Sequence, residues 1–256
     1  MKIRTAMVAA MLTIAAAIRP VSAQSASEHV AMGDRDHAAM NLASALRHYE
    51  AAIAADPNNY LALCNASRDA VDLGEFNSSP EERTRLYASA QQYATRATKA
   101  NPGDAEGHFL LARAIGRNAL TMGTRDKIKY AGEVRDHAME ALKINPKHAG
   151  ALHVMGVWNA EVMRLNGFSR MVAKNFLGGK VFGEASWDNA RSYMERAVAI
   201  EPNRSTHHLD LGRVYMDMGD NARAKEQFDA TVRVAGADYN DKNYKSNAEE
   251  MLRKLR

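Results

Sequence analysis

The sequence predicts an all-α fold: a solenoid of stacked helix pairs with insertions between the two helices of a pair, finished by a C-terminal capping helix. Three observations predict it. A proline turn recurs four times, as DPNNYLAL from Asp56, NPGDAEGHFLLA from Asn101, NPKHAGALHVMG from Asn145 and EPNRSTHHLDLG from Glu201. Each turn opens a helical pattern, because proline disfavours helix in the residue before it and suits a helix boundary. No segment carries the period-two alternation of a half-buried strand.

The elements follow in order. Residues 1–23 read as a secretory signal, MKIR then TAMVAAMLTIAAAI then RPVSA, with a basic start, an apolar run and small residues at Val21 and Ala23. Its apolar run of about 14 residues is shorter than the roughly 20 that span a bilayer. The mature chain is expected to begin near Gln24, as one helical repeat domain over 24–256, exported and of a bacterial periplasmic type. Glu28 to Met32 precede the first well-marked helix and form an expected exposed edge; the oligomeric state stays open.

Repeats are expected at about 59–102, 103–146, 147–202 and 203–236. Ser79, Pro80 and Glu82 make a start signal, with an N-cap, proline at the first helical position and glutamate three residues after the cap, so the second helix of the first repeat runs from near Pro80 to about Ala100. Thr124 and Ser186 are the corresponding expected caps of the next two repeats. The prolines at 57, 102, 146 and 202 are spaced 45, 44 and 56 residues apart. Against a repeat of about 34, this predicts insertions of about 11, 10 and 22 residues between the two helices. At the end, Tyr244, Ala248, Met251, Leu252 and Leu255 share one helical face, a cap over 242–255 that a solenoid needs because its last repeat has no neighbour.

In the last repeat Pro202 is followed by Leu211, Gly212, Tyr215, Gly219, Asp220, Ala224 and Phe228. This spacing resembles the tetratricopeptide repeat, with Thr231 where alanine is usual. Gly212 and Ala224 let the two helices approach, and Leu211, Tyr215 and Phe228 fill the seam. The third repeat carries a narrower likeness: Trp158, Phe168, Ala173, Phe176, Leu177, Gly178, Gly179, Ala185 and Ala190 resemble the regulator-of-microtubule-dynamics family. That resemblance implies an all-helical domain that binds partners and is not an enzyme.

The stretch GFSRMVAKNFLGGKVFGEASW, from Gly167, is the longest insertion. Phe168, Met171, Val172, Phe176 and Leu177 fall on one face of a short helix, which Gly178 and Gly179 would end. Phe168, Met171 and Phe176 make it a candidate lid over the groove.

Charge narrows the function. Lys2, Arg4 and Arg19 leave with the signal, so 34 minus 3 gives 31 basic residues against 30 acidic, without the clustered basic excess that nucleic-acid binding wants. The lone cysteine, Cys64, excludes an intramolecular disulfide and reads as a buried helix residue. His148, His153, His207 and His208 lack the zinc-helix spacing, and Gly178-Gly179-Lys180 lacks the phosphate-loop pattern. No catalytic constellation, metal site or cofactor is expected.

The tetratricopeptide resemblance implies a concave groove lined by the first helix of each pair. Arg68, Arg113 and Arg213 stand at the ninth repeat position, Phe109 and His153 at the fifth, and Arg117 at the thirteenth. Stacked arginines suit bidentate capture of a carboxylate or phosphate. These six are therefore the candidate ligand-binding residues, for a peptide or protein partner, or alternatively for an apolar anionic ligand such as a phospholipid or fatty acid. Pairing of the same arginines with Asp69, Asp72, Glu161 and Asp217 is the structural alternative.

Overall fold

A computed structural model describes residues 25–165, 181–236 and 238–255. The expected signal segment and the lid candidates Phe168, Met171 and Phe176 lie outside these described residues. Within them the chain forms eleven α-helices and a short 3₁₀ turn at Val181–Glu184, with no strand. The helices are α1 (Ala26–Ala38), α2 (Leu42–Ala55), α3 (Tyr60–Glu75), α4 (Pro80–Ala100), α5 (Ala105–Leu120) and α6 (Thr124–Ile144). They continue with α7 (Ala149–Arg164), α8 (Trp187–Ile200), α9 (Ser205–Asp217), α10 (Asn221–Arg233) and α11 (Asp241–Lys254).

The expected caps meet two outcomes. Ser79 and Ser186 each accept a backbone N–H three residues on, at 3.2 and 3.0 Å. For α6, however, Gly123 holds the cap position and Thr124 is already the first helical residue.

Residues 28–32 lie within a helix and not ahead of the first one, with Glu28 and Ala31 exposed. Ser25 and Glu28 form a reciprocal capping box that starts α1, and α1 packs on α2 as a further helix pair ahead of the first expected repeat. Its seam has the same construction as the later ones. A Cβ on Gly33 would lie 2.5 Å from the Tyr49 ring, and one on Gly212 would lie 2.6 Å from Phe228, so each glycine leaves room for an aromatic ring of its partner helix.

The extra residues of the first two repeats are also placed differently from expectation. They do not form separate insertions: only residues 76–79 separate α3 from α4 and only 121–123 separate α5 from α6, while α4 and α6 each reach 21 residues. Helices extended in this way still bury a periodic face, as Leu86, Tyr87, Ala90, Ala94 and Ala97 do in α4.

The core is a column between the paired helices. Tyr49, Leu63, Leu110 and Leu152 are among its fully buried side chains. Cys64 is buried in α3, and burial pushes its thiol up to about 12, away from reactivity at neutral pH. The capping helix α11 contributes Tyr244 and Ala248 to a cluster with Leu209, Tyr215 and Phe228.

This helix also has a second contact, across the concave side. Asn240 Nδ2 donates to the Asp72 carbonyl at 2.9 Å, Tyr244 OH donates to Glu75 Oε2 at 2.9 Å, and the Tyr244 ring meets Phe76 edge-on at 5.5 Å. The array therefore curves until its last helix touches α3 and bridges the concave side.

Candidate functional site

The concave side holds a cavity of about 420 Å³ that stays partly open to solvent. Arg68, Phe109, Arg113, Arg117, His153 and Arg213 all line it. The successive inner helices α3, α5, α7 and α9 bring these six together because residues a repeat apart take equivalent places. One end of the lining is apolar, with Ile128, Val134, Trp158 and Phe182; there Trp158 Nε1 donates to the Ala131 carbonyl at 2.7 Å and its ring stacks on Phe182.

The arginines divide by what they already hold. Arg113 binds Asp72 at 2.5 Å with Glu75 at 3.8 Å, and Arg117 binds Glu75 at 2.8 Å. Burial alone would weaken the Arg113 cation; the charges of Asp72 and Glu75 outweigh it and drive its pKa further up. By contrast Arg68 touches Asp69 only through Nε, at 3.4 Å, and Arg213 touches Asp210 only through Nη1, at 2.8 Å. Among the described residues the other guanidinium N–H groups of Arg68 and Arg213 have no partner, and both side chains are about one-third exposed, 32% and 37%.

His153 joins a polar chain. Its Nε2 lies 3.2 Å from Asp210, its Nδ1 lies 2.9 Å from His207 Nδ1, and His207 Nε2 lies 3.1 Å from Glu201. Burial alone would raise the Asp210 carboxyl; the His153 hydrogen bond and the charges of Arg213, His153 and Arg117 reverse that and hold it well below the usual range. Burial holds the His207 ring down to about 4. Phe109 meets His148 in a tilted ring contact, with ring centres 4.8 Å apart, and presses on Gly150, where an added Cβ would meet the ring at 2.6 Å.

Asp210, His207, Glu201 and Tyr244 are cavity-wall residues absent from the candidate set drawn from the sequence. One signal could have pointed to an acid partner: Arg113, at the ninth repeat position, pairs with Asp72, at the thirteenth of the preceding inner helix, whereas Arg213 pairs with Asp210 on its own helix. Neither that stagger nor the approach of α11 is local in sequence. Among the described residues no group of three or more His, Cys, Asp or Glu side chains could hold a metal ion.

Comparison with known proteins places this architecture. The family model described as Regulator of microtubule dynamics protein 1-3 matches residues 26–256, from the first residue of α1 onward. The chain belongs to this family. It is 29% identical over 192 residues to regulator of microtubule dynamics protein 1 of Bos taurus, covering 75% of this chain and 59% of the relative. It is 22% identical over 190 residues to protein 3 of the same family from Bos taurus, covering 74% of this chain and 40% of the relative. The chain thus spans little more than half of the first relative's length and less of the second's. Among solved structures, a thermophilic TPR protein of Thermus thermophilus superposes with a TM-score of 0.63 at 19% identity, over 88% of this chain and 99% of that one. That likeness shows the tetratricopeptide fold, and family and fold together place the chain among helical-repeat proteins.

Proposed function

We propose that this chain is a non-enzymatic interaction module that takes an acidic segment of a protein partner into the cavity, with its carboxylate on Arg68 and Arg213. The observation that carries the reading is the division among the arginines. Arg113 and Arg117 are neutralised by Asp72 and Glu75, whereas Arg68 and Arg213 keep free N–H donors at the cavity. Such donors suit a carboxylate more than an apolar surface. Phe109 and the Trp158 end supply the contact area for the apolar side chains of a bound segment.

The relatives are named for microtubule dynamics, so microtubules are one bait to test. Residues 1–23 support export, which makes the cell envelope the other source of partners. The alternative occupant, an apolar anionic ligand such as a fatty acid, draws support from the apolar end at Ile128, Val134, Trp158 and Phe182.

The test is a pull-down from both sources, followed by titration of the captured segment. Arg68→Ala with Arg213→Ala is expected to weaken binding about 10-fold to 100-fold, since a hydrogen bond to a charged group contributes about 1.5–3 kcal/mol. Unchanged affinity in the double variant would refute the assignment, and a co-purifying lipid mass in native mass spectrometry would favour the alternative.

A further inference from the structure

Six of the nine histidines meet in pairs through their Nδ1 atoms: His29 with His48 at 3.5 Å, His108 with His137 at 3.2 Å and His153 with His207 at 2.9 Å. The last pair bridges α7 and α9 in the cavity wall. It is also flanked at both ends by a carboxylate, Asp210 beyond His153 and Glu201 beyond His207.

This chain of four groups has a fixed proton requirement. Three contacts, carboxylate to ring, ring to ring and ring to carboxylate, each need one N–H to donate. Two neutral imidazoles carry only two. With both Nε2–H groups turned to their carboxylates, two Nδ1 lone pairs would face each other at 2.9 Å. One additional proton satisfies all three contacts: one ring becomes a cation that donates through both nitrogens, and the other accepts at Nδ1. A second additional proton places N–H against N–H, and cation against cation, inside a wall where His207 is 3% exposed.

We propose that the His153–His207 contact is a proton-operated latch between α7 and α9: one shared proton holds the cavity wall together, and a second drives the rings apart and opens it. The latch acts whatever the cavity holds, so it stands apart from the peptide assignment. The charged groups around it come from each neighbouring element. Arg117 on α5 and Arg213 on α9 act on Asp210, Arg204 ahead of α9 acts on His207 and Glu201, and His148 ahead of α7 acts on Glu201. The Glu201 carboxyl is held low first by its hydrogen bond from His207, against the opposing effect of burial, and so stays charged as the pH falls. Burial of His207 delays the second proton until the solution is well below neutral.

Spin labels at Lys147 and Asn203, exposed residues in the turns before α7 and α9, would report the separation of the two helices by pulsed electron resonance. Cys64 is buried in α3. Between about pH 7 and about pH 3, on either side of the value near 4 to which burial holds the His207 ring, the separation is expected to lengthen in the parent chain with helical circular dichroism retained. It is expected to stay fixed in His153→Gln, with His207→Gln as the second variant should the first fail to fold. An unchanged separation in the parent, equal lengthening in both variants, or loss of all helix at the same pH in parent and variants would overturn the latch. Nitrogen chemical shifts of the two rings at about pH 7 give a second readout: three protonated ring nitrogens support the latch, and two refute it.

Discussion

Arg68 and Arg113 hold the same register position on successive inner helices, and their surroundings give them different work. Arg113 is 14% exposed and sits between two carboxylates, Asp72 and Glu75. Removing it leaves those acids without a cation in a poorly solvated wall, so Arg113→Ala is expected to cost about 3 kcal/mol in chemical denaturation. Arg68→Ala is expected to stay within about 0.5 kcal/mol in the same measurement, as for most exposed substitutions. The opposite pattern would assign the ligand to Arg113. Gly212 is decided by sterics: the Phe228 ring lies 2.6 Å from where a Cβ would stand. Gly212→Ala is therefore expected to destabilise by about 1–3 kcal/mol, read as a lower melting temperature. The glycine was legible as a close-approach residue from its repeat position. The state of each arginine was not, because its partner lies on another helix about forty residues away, as Asp72 lies 41 from Arg113.

At the scale of the helices, side chains that start a helix were readable and changes in helix length were not. Ser79 and Ser186 cap where their hydroxyls predict, because a cap acts on the backbone N–H three residues away. The extra residues of the first two repeats read as insertions from the proline spacing alone, yet they extend α4 and α6, since a helix that keeps its apolar period can lengthen along its neighbour. The capping helix α11 was visible as an amphipathic pattern, but its role in bridging the concave side was not. Tyr244→Phe tests that bridge: it removes the hydroxyl that donates to Glu75 while keeping the buried ring. The expected loss is about 1 kcal/mol. Tyr244→Ala also empties a core site and is expected to cost about 3–5 kcal/mol. An unchanged stability in Tyr244→Phe would show that the hydroxyl contact with α3 contributes nothing of its own.

For the molecule as a whole, the paired histidines set the response to acid. His137 and His207 both have depressed ring pKa values, chiefly because burial disfavours the cation. The unfolded chain therefore takes up these protons more readily than the folded one. Their contribution is fully present above about pH 6.5 and is lost as the pH falls, for His207 down to about 4. Chemical denaturation across that range is expected to show a loss of up to about 3 kcal/mol from His207, diminished in His207→Gln; stability rising with acid would contradict the assignment.

The sequence by itself determined the all-helical repeat class, the proline turns, the serine caps, the capping pattern at the end and the six side chains aimed at the concave side. These follow from forces that act within a few residues and from a period that repeats. Only the tertiary structure decided that the first pair begins at Ala26, that α11 meets α3, and which arginines are held between carboxylates. Those outcomes depend on how small rotations between successive pairs add up around the array. Their sum brings Tyr244 to Glu75 across 169 residues, a distance over which no local pattern carries information.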